Sequence, residues 1–352
     1  MQQPFTVIRF QISDSVHLGS HREELDRSDN ILHSDTLYSA IIQAWEVLGV
    51  EHPVLDYEGE VAPDLGFAIS SLFPFFQETT ESAPLYFFPV PKAGLPETDP
   101  DQYRNVKWLD AKAFEYYLKN GRINEQQARP CGDYFTDHAG FDQDGRNERN
   151  ARKPVSSNYQ DFMRSEVQPR AYVPRLHEAD TDTVIYYIER IFFREQCGLF
   201  GLATFDNDEI KAKVLLALDH LQDAGIGTDR NVGHGQFRYA TDKFEYFTEL
   251  PDSDHALNLS LFCPESPEQL ADMLASDHCR HDLTKRGGWM TTWPYLSYRK
   301  DSVYMFREGG IFKTKQPVAG STVNLRPDIL DALDDTTPVL RVGKSIFLPV
   351  TV

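Results

Sequence analysis

The sequence has no run of about 18 consecutive apolar residues, so no membrane-spanning helix is expected. Its first residues, Met1-Gln2-Gln3-Pro4-Phe5, carry no basic segment followed by an apolar one, so no signal peptide is expected either. Cysteine is scarce. Of 352 residues only Cys131, Cys197, Cys263 and Cys279 are cysteine, none in Cys-x-x-Cys spacing, and a reduced, cytoplasmic protein without a disulfide framework is the expectation. His278-Cys279-Arg280-His281 lacks a second ligand pair at zinc spacing. The acidic run Asp137, Asp142, Asp144 and Gly145 lacks the closing glutamate of a calcium loop. No metal and no cofactor is expected. Positive charge is also short: 35 Lys and Arg stand against 54 Asp and Glu, a formal charge of −19. Taken alone, that balance argues against a free-standing nucleic-acid binder and favours a protein that docks on a basic partner.

What is present is enough for real cores: 41% of residues are hydrophobic and 12% aromatic, which excludes global disorder. Phe5 to Ile12 alternates, with Phe5 and Val7 on one face and Ile8, Phe10 and Ile12 on the other, and reads as a strand. Ser34 is a candidate N-cap before Leu37, Ile41, Ala44, Trp45 and Leu48, which have helical spacing up to Gly49. Strands are expected over 67–76 and 85–88, and a short helix over 108–118. Residues 121–183 lose all periodicity, too long a stretch for a plain loop. Two strands are expected across 184–205, broken near Cys197-Gly198. A helix follows over 206–224, with Asp206 as N-cap and Gly225 just past its end, then a strand over 236–247. After a polar stretch at 249–255 come strands at 256–263, 303–306 and 345–350 and a helix at 267–275. This order, β-α-β-β-insert-β-α-β, predicts an α+β fold with antiparallel sheets, made of two ferredoxin-like (RRM-like) domains. The first would span 1–248, with the insertion at about 121–183, and the second, degenerate one 249–352.

The sharpest local feature is the loop Gly225-Ile226-Gly227-Thr228-Asp229-Arg230-Asn231-Val232-Gly233-His234-Gly235-Gln236-Phe237. It follows a helix and precedes a strand, the reverse of a dinucleotide fingerprint, and no Gly-Lys-Ser/Thr follows as a Walker loop requires. Glycine amides in such a loop can face phosphate oxygens, and Arg230 adds a bidentate donor. The plain alternative is a helix C-cap followed by a tight turn.

In its context this loop resembles the signature loop of the RAMP superfamily, the RNA-binding subunits of CRISPR effector complexes. Other segments agree in order along the chain: Val16-His17-Leu18-Gly19 with Ser34-Asp35-Thr36-Leu37, Ile69-Ser70-Ser71-Leu72-Phe73-Pro74, Tyr86-Phe87-Phe88-Pro89, Arg307-Glu308-Gly309-Gly310-Ile311 and Val339-Leu340-Arg341-Val342-Gly343. Together they resemble the family of subunit four of the type III-A Csm complex. Thr228, Asn231 and Gly310 depart from that family's pattern, and Val173 to Asp180 matches its arginine-bearing strand only loosely. The resemblance implies a non-catalytic subunit that holds the 5′ repeat-derived handle of crRNA. It also implies that the subunit joins a large polymerase-like CRISPR subunit to the RAMP backbone subunit.

The residues this would use are the loop residues Gly225, Gly227, Arg230, Asn231, Gly233, His234 and Gly235, together with His17, Gly19, Ser34, Asp35 and Thr36 at a helix N-terminus, where anions are favoured and where plain capping is the alternative. Charge adds a third group. Residues 1–128 hold 9 basic and 20 acidic side chains, whereas residues 146–175 hold 7 basic and 3 acidic. Arg149, Arg152, Lys153 and Arg175 lie there, with Tyr159 and Phe162 as stacking groups for unpaired bases. A thumb-like hairpin in the insert, packed on the handle, is the expectation; an ordinary solvated loop is its alternative. Two other readings stay open. One is a metal-independent endoribonuclease using His17, His21 or His234. The other is an acidic protein-docking module with no RNA site.

Overall fold

The computed structural model describes residues 5–19, 28–53, 64–95, 100–141, 159–172, 184–228, 230–290, 295, 297–333 and 338–352. Along the chain these form β1 (Thr6–Ile12), β2 (Ser15–Val16), α1 (Ser34–Leu48), β3 (Phe67–Ile69), β4 (Phe73–Phe76), β5 (Leu85–Pro89), α2 (Pro100–Tyr103), β6 (Trp108–Asp110), α3 (Ala111–Asn120), β7 (Arg129–Cys131) and β8 (Tyr134–Thr136). Then come β9 (Met163–Tyr172), β10 (Val184–Phe193), β11 (Gly198–Phe205), α4 (Asp208–Ala224), β12 (Phe237–Lys243), β13 (His255–Asn258) and α5 (Pro267–Met273). The last strands are β14 (Leu283–Arg286), β15 (Val303–Phe306), β16 (Ile311–Lys313), β17 (Val318–Ala319), β18 (Thr322–Asn324), β19 (Leu340–Val342) and β20 (Ser345–Pro349).

The alternation in β1 sets the middle of the molecule. β1 lies antiparallel between β11 and β12 in a nine-stranded sheet of order β12-β1-β11-β4-β5-β6-β8-β7, with β3 also on β11. Ile8, Phe10 and Ile12 face one side and pack with Leu37, Tyr38, Ile41 and Trp45 of α1 and Val214, Leu218 and Leu221 of α4. Val7 faces the other side, where Phe73, Phe75, Phe87, Phe88, Phe114 and Phe200 form an aromatic core. That second core is continuous with Leu257, Leu259, Ile346, Leu348 and Val350, so the C-terminal strands cover the far face of the first sheet. Each fully buried ring adds roughly 1.5–3 kcal/mol. The C-terminal part has its own four-stranded antiparallel sheet, β16-β13-β20-β17. The molecule is thus mixed α and β with mainly antiparallel sheets; among the described strand pairs, β6 with β8 is parallel.

Several elements differ from the sequence expectations. The strand expected over 67–76 is broken at Ser70–Leu72. There the Ser70 hydroxyl accepts from the Leu202 amide (2.9 Å), and the Ser71 amide donates to the Leu259 carbonyl (3.0 Å), so β3 and β4 pair different parts of β11. The helix expected over 108–118 starts only at Ala111, because Asp110 caps it by accepting from the Ala113 amide (2.8 Å), and 108–110 is a strand. Helix α1 is preceded by His33 as N-cap residue, without a side-chain cap, and Ser34 is its first residue. In α4 the capping side chain is that of Asn207, not Asp206. The stretch expected to be irregular contains β7, β8 and β9. Here β9 pairs residue for residue with β10, from Met163 opposite Phe193 to Tyr172 opposite Val184, in a ten-residue antiparallel ladder.

Candidate functional site

The glycine loop, the segment after β1 and the β9–β10 ladder meet at one place. β2 pairs with β10 through Ser15–Phe192 and Val16–Ile191. On its other side the same segment receives the loop: the Thr228 amide donates to the His17 carbonyl (3.1 Å) and the Gly235 amide to the Ser15 carbonyl (2.9 Å). Two glycines are required by this closeness. Gly227 has φ +82°, and a Cβ there would lie 2.6 Å from the His17 carbonyl oxygen; Gly235 has φ +74°, and a Cβ would lie 1.9 Å from that of Ile226.

At the centre stands His234. Its Nε2 receives the Nη1–H of Arg190 (2.6 Å) and the Nη2–H of Arg170 (3.2 Å). Guanidinium groups only donate, so Nε2 is the acceptor and Nδ1–H donates to Asp14 Oδ2 (3.0 Å). Arg170 lies on β9 and Arg190 on β10. One imidazole therefore ties both strands of the hairpin to the glycine loop. Arg190 is buried, while Arg170 and His234 are half-exposed. The opposite face of the hairpin is open: Val167 is 53% exposed, Ile185 64% and Tyr187 57%. An arginine-bearing seam with an exposed apolar and aromatic face suits phosphates on one side and unstacked bases on the other.

The residues singled out from the sequence fall into three groups. Gly227, Thr228, Arg230, Gly233 and His234 lie on the accessible side of the loop, and Arg230 donates to Gln43 Oε1 of α1 (3.4 Å). The amides of Gly225, Gly233 and Gly235 donate to the carbonyls of Leu221, Arg230 and Ser15. They are therefore taken within the protein, which corrects the expectation that they face phosphate. The side chain of Asn231 and residues Arg149, Arg152, Lys153, Arg175 and His21 lie outside the described parts.

The second group is mostly buried: His17, Ser34 and Asp35 are, Thr36 is half-buried, and Gly19 is exposed. His17 is 1% exposed and its Nδ1–H donates to the Glu189 carbonyl (2.7 Å). Gly19 passes beside it, where a Cβ would lie 2.8 Å from His17 Nε2. The Ser34 hydroxyl accepts from the Leu261 amide (3.0 Å). Asp35 accepts two bonds from Arg286 (2.8 and 2.9 Å) and one from Arg341 (3.0 Å), and Thr36 Oγ1 accepts from Arg286 (3.2 Å). Burial opposes ionisation of Asp35, but the two guanidiniums outweigh it and hold the carboxyl well below the usual range. Beside this cluster both ring nitrogens of His33 face carboxylates, Glu308 at 2.8 Å and Asp29 at 3.3 Å. Burial disfavours the charged ring, yet Glu308 and the two hydrogen bonds raise its pKa to about 9. Glu308 also accepts from the Ser71 hydroxyl. Ser34 and Asp35 are thus corrected from anion ligands to a clamp between the two parts of the chain. Their fully buried polar atoms leave nothing for a phosphate to reach.

The third group is the stacking pair. Phe162 is fully buried among Phe76, Phe87 and Tyr134, so it is core rather than a stacking group. Tyr159 packs on Phe76 (4.7 Å between ring centres) beneath the Arg194 guanidinium. Sequence reading passes over Arg190 and Tyr187. The only signal for them is the alternation in Val184–Phe193, which gives a strand but not its partner.

Comparison with known proteins bears on the whole chain. Residues 251–350 match the family model of the CRISPR Csm4 C-terminal domain. The CRISPR system Cms protein Csm4 of Thermococcus onnurineus (strain NA1) is 25% identical over 302 residues, covering 81% of this chain and 82% of that protein. The Csm4 of Methanocaldococcus jannaschii is 21% identical over 337 residues, covering 87% and 85%. The chain is similar to Csm4 proteins along most of its length, and its residues 251–350 match that family's C-terminal domain. Its fold agrees with solved Csm4-containing structures. A chain of the Csm3–Csm4 subcomplex of a type III-A CRISPR-Cas interference complex superposes with a TM-score of 0.64 at 17% identity, over 99% of this chain and 100% of that one. A chain of a Csm1–Csm4 cassette in complex with cA4 gives 0.55 at 18%, over 99% of both chains. Within this fold, the segments that carried the sequence resemblance contribute to the loop–hairpin seam, the aromatic core and the buried clamp of Asp35, Ser71, Glu308 and Arg341.

Proposed function

We propose that this chain is a non-catalytic RNA-binding subunit of a type III CRISPR complex. It holds the 5′ repeat-derived handle of crRNA between the glycine loop and the β9–β10 hairpin. It also bridges a large polymerase-like subunit of the Csm1 kind to a RAMP backbone subunit of the Csm3 kind. The observation that carries this reading is the joining of Arg170, Arg190 and His234, which brings the basic insert and the glycine loop into one surface. The assemblies in which the similar solved chains are found support the bridging role. The first part of the chain is read as a ferredoxin-like unit: β12-β1-β11-β4 with α1 and α4 on one face follows the 4-1-3-2 strand order of a βαββαβ fold. The part from 249 onward is read as the second domain.

The histidines support a binding rather than a cleaving role. The lone pair of His234 Nε2 is occupied by two guanidinium donors, and the basic Nε2 of His17 is buried, so neither offers an accessible base to a ribose hydroxyl. The test is a reconstituted complex carrying Arg170→Glu or Arg230→Glu. Each variant is expected to lower crRNA retention at raised salt without changing assembly of the protein subunits. Retention equal to wild type for both variants would contradict the assignment.

A further inference from the structure

A second basic and aromatic segment lies outside the loop–hairpin seam. From Leu283 to Lys300 the sequence contains Lys285, Arg286, Arg299 and Lys300 and no carboxylate, in a chain whose formal charge is −19. The described part of this segment is a hairpin. Its base is β14 paired with β15, with Lys285 directly opposite Tyr304. Further out Trp289 stands opposite Arg299, whose guanidinium lies 5.0 Å from the indole centre, and the Met290 amide donates to the Tyr298 carbonyl (2.9 Å).

The outward groups have one character. Lys285 and Arg299 are exposed, as is Tyr304 at 63%; Trp289, Tyr298 and Lys300 are half-buried. Arg286 is turned inward onto Asp35. The nearest carboxylates in sequence are Asp282, which is paired with Lys92 at 2.6 Å, and the exposed Asp301 at the far end. Lys300 lies near Arg341, and burial together with that like charge lowers its pKa to about 8 against the opposing pull of Asp35.

We propose that the β14–β15 hairpin is a second nucleic-acid surface, contacting an unpaired stretch of RNA through Lys285, Arg299 and Lys300 on phosphates and the neighbouring aromatic rings on bases. Charge complementarity selects this occupant: cations interleaved with aromatic faces grip a single strand without reading its sequence. The proposal rests on the RNA-binding reading above and extends it to the C-terminal part of the chain.

The test is ultraviolet cross-linking of a crRNA-loaded complex assembled from the full chain and its partner subunits, read by mass spectrometry. RNA adducts on peptides carrying Trp289, Tyr298 or Tyr304 are expected. The K285Q/R299Q double variant, checked for unchanged melting, is expected to lower their yield roughly tenfold, while K315Q, at a lysine paired with Asp252 and Asp254, leaves them unchanged. Adducts confined to the glycine loop and the β9–β10 hairpin would overturn this proposal and leave the handle reading standing. No adduct anywhere on the chain would overturn both. Protein cross-links from Lys285 to a partner subunit in place of RNA adducts would assign the hairpin to a protein interface and overturn it equally.

Discussion

Asp35 shows how far a residue's role can lie from its local sequence. Ser34-Asp35-Thr36 at the start of a helix reads as a cap or an anion site, because the groups that decide otherwise, Arg286 and Arg341, are 251 and 306 positions away. Removing the carboxylate would leave two buried guanidiniums without a counter-charge. Asp35→Asn is therefore expected to cost about 3–5 kcal/mol of stability, read by denaturant or thermal unfolding; a loss below about 1 kcal/mol would show that the clamp does not hold the two parts together. His33 gives a pH signature. Its pKa rises from 6.5 unfolded to about 9 folded, so its contribution is complete below pH 6.5 and is lost as the pH passes through 9. Melting temperature is expected to fall between pH 7 and 9.5, and to fall less in His33→Gln, where no proton is bound. An equal fall in both proteins would place the effect elsewhere.

At the scale of elements, the strands and helices with a clear period were legible: β1, α1, α4 and β12 lie close to where the alternation and helical spacing put them. What was not legible is pairing. The segment 163–172 reads Met-Arg-Ser-Glu-Val-Gln-Pro-Arg-Ala-Tyr, with no apolar alternation to mark it as a strand, and beyond Met163, which packs on the cores, its described side chains are exposed or half-buried. A hairpin was expected within the insert; of the insert, 163–172 forms β9, whose partner β10 lies beyond the insert's end, and the aromatic groups expected to serve it, Tyr159 and Phe162, belong to the core side of the chain, while Tyr187 on β10 is the exposed ring. The glycine loop was legible as a feature but not as a β-like partner of residues 15–17. That role makes a definite prediction. Gly235→Ala puts a Cβ against the Ile226 carbonyl at positive φ, so it should loosen the loop by more than 1 kcal/mol. Hydrogen exchange at the Thr228 and Gly235 amides should rise at least several-fold while β1 and β11 stay protected. Unchanged exchange at both amides would mean that the loop tolerates the side chain and is not held as described.

For the whole molecule, the formal charge of −19 sets a limit on how RNA can be held. Attraction between a free acidic chain and a polyanion is weak, so a loop–hairpin seam that holds RNA, as proposed above, requires partner subunits to add their own charges and geometry. The division between the seam proposed to hold RNA and the clamp within the chain is not legible in the chain order, since the motifs of both lie side by side: His33 to Thr36 in the clamp, and His17, one short segment earlier, beneath the seam. The decisive measurement is nuclease protection of the crRNA 5′ handle, compared between complexes assembled with and without this chain. The handle is expected to be protected only when the chain is present and to be exposed by Arg170→Glu at unchanged subunit composition. A handle equally protected without the chain would contradict it.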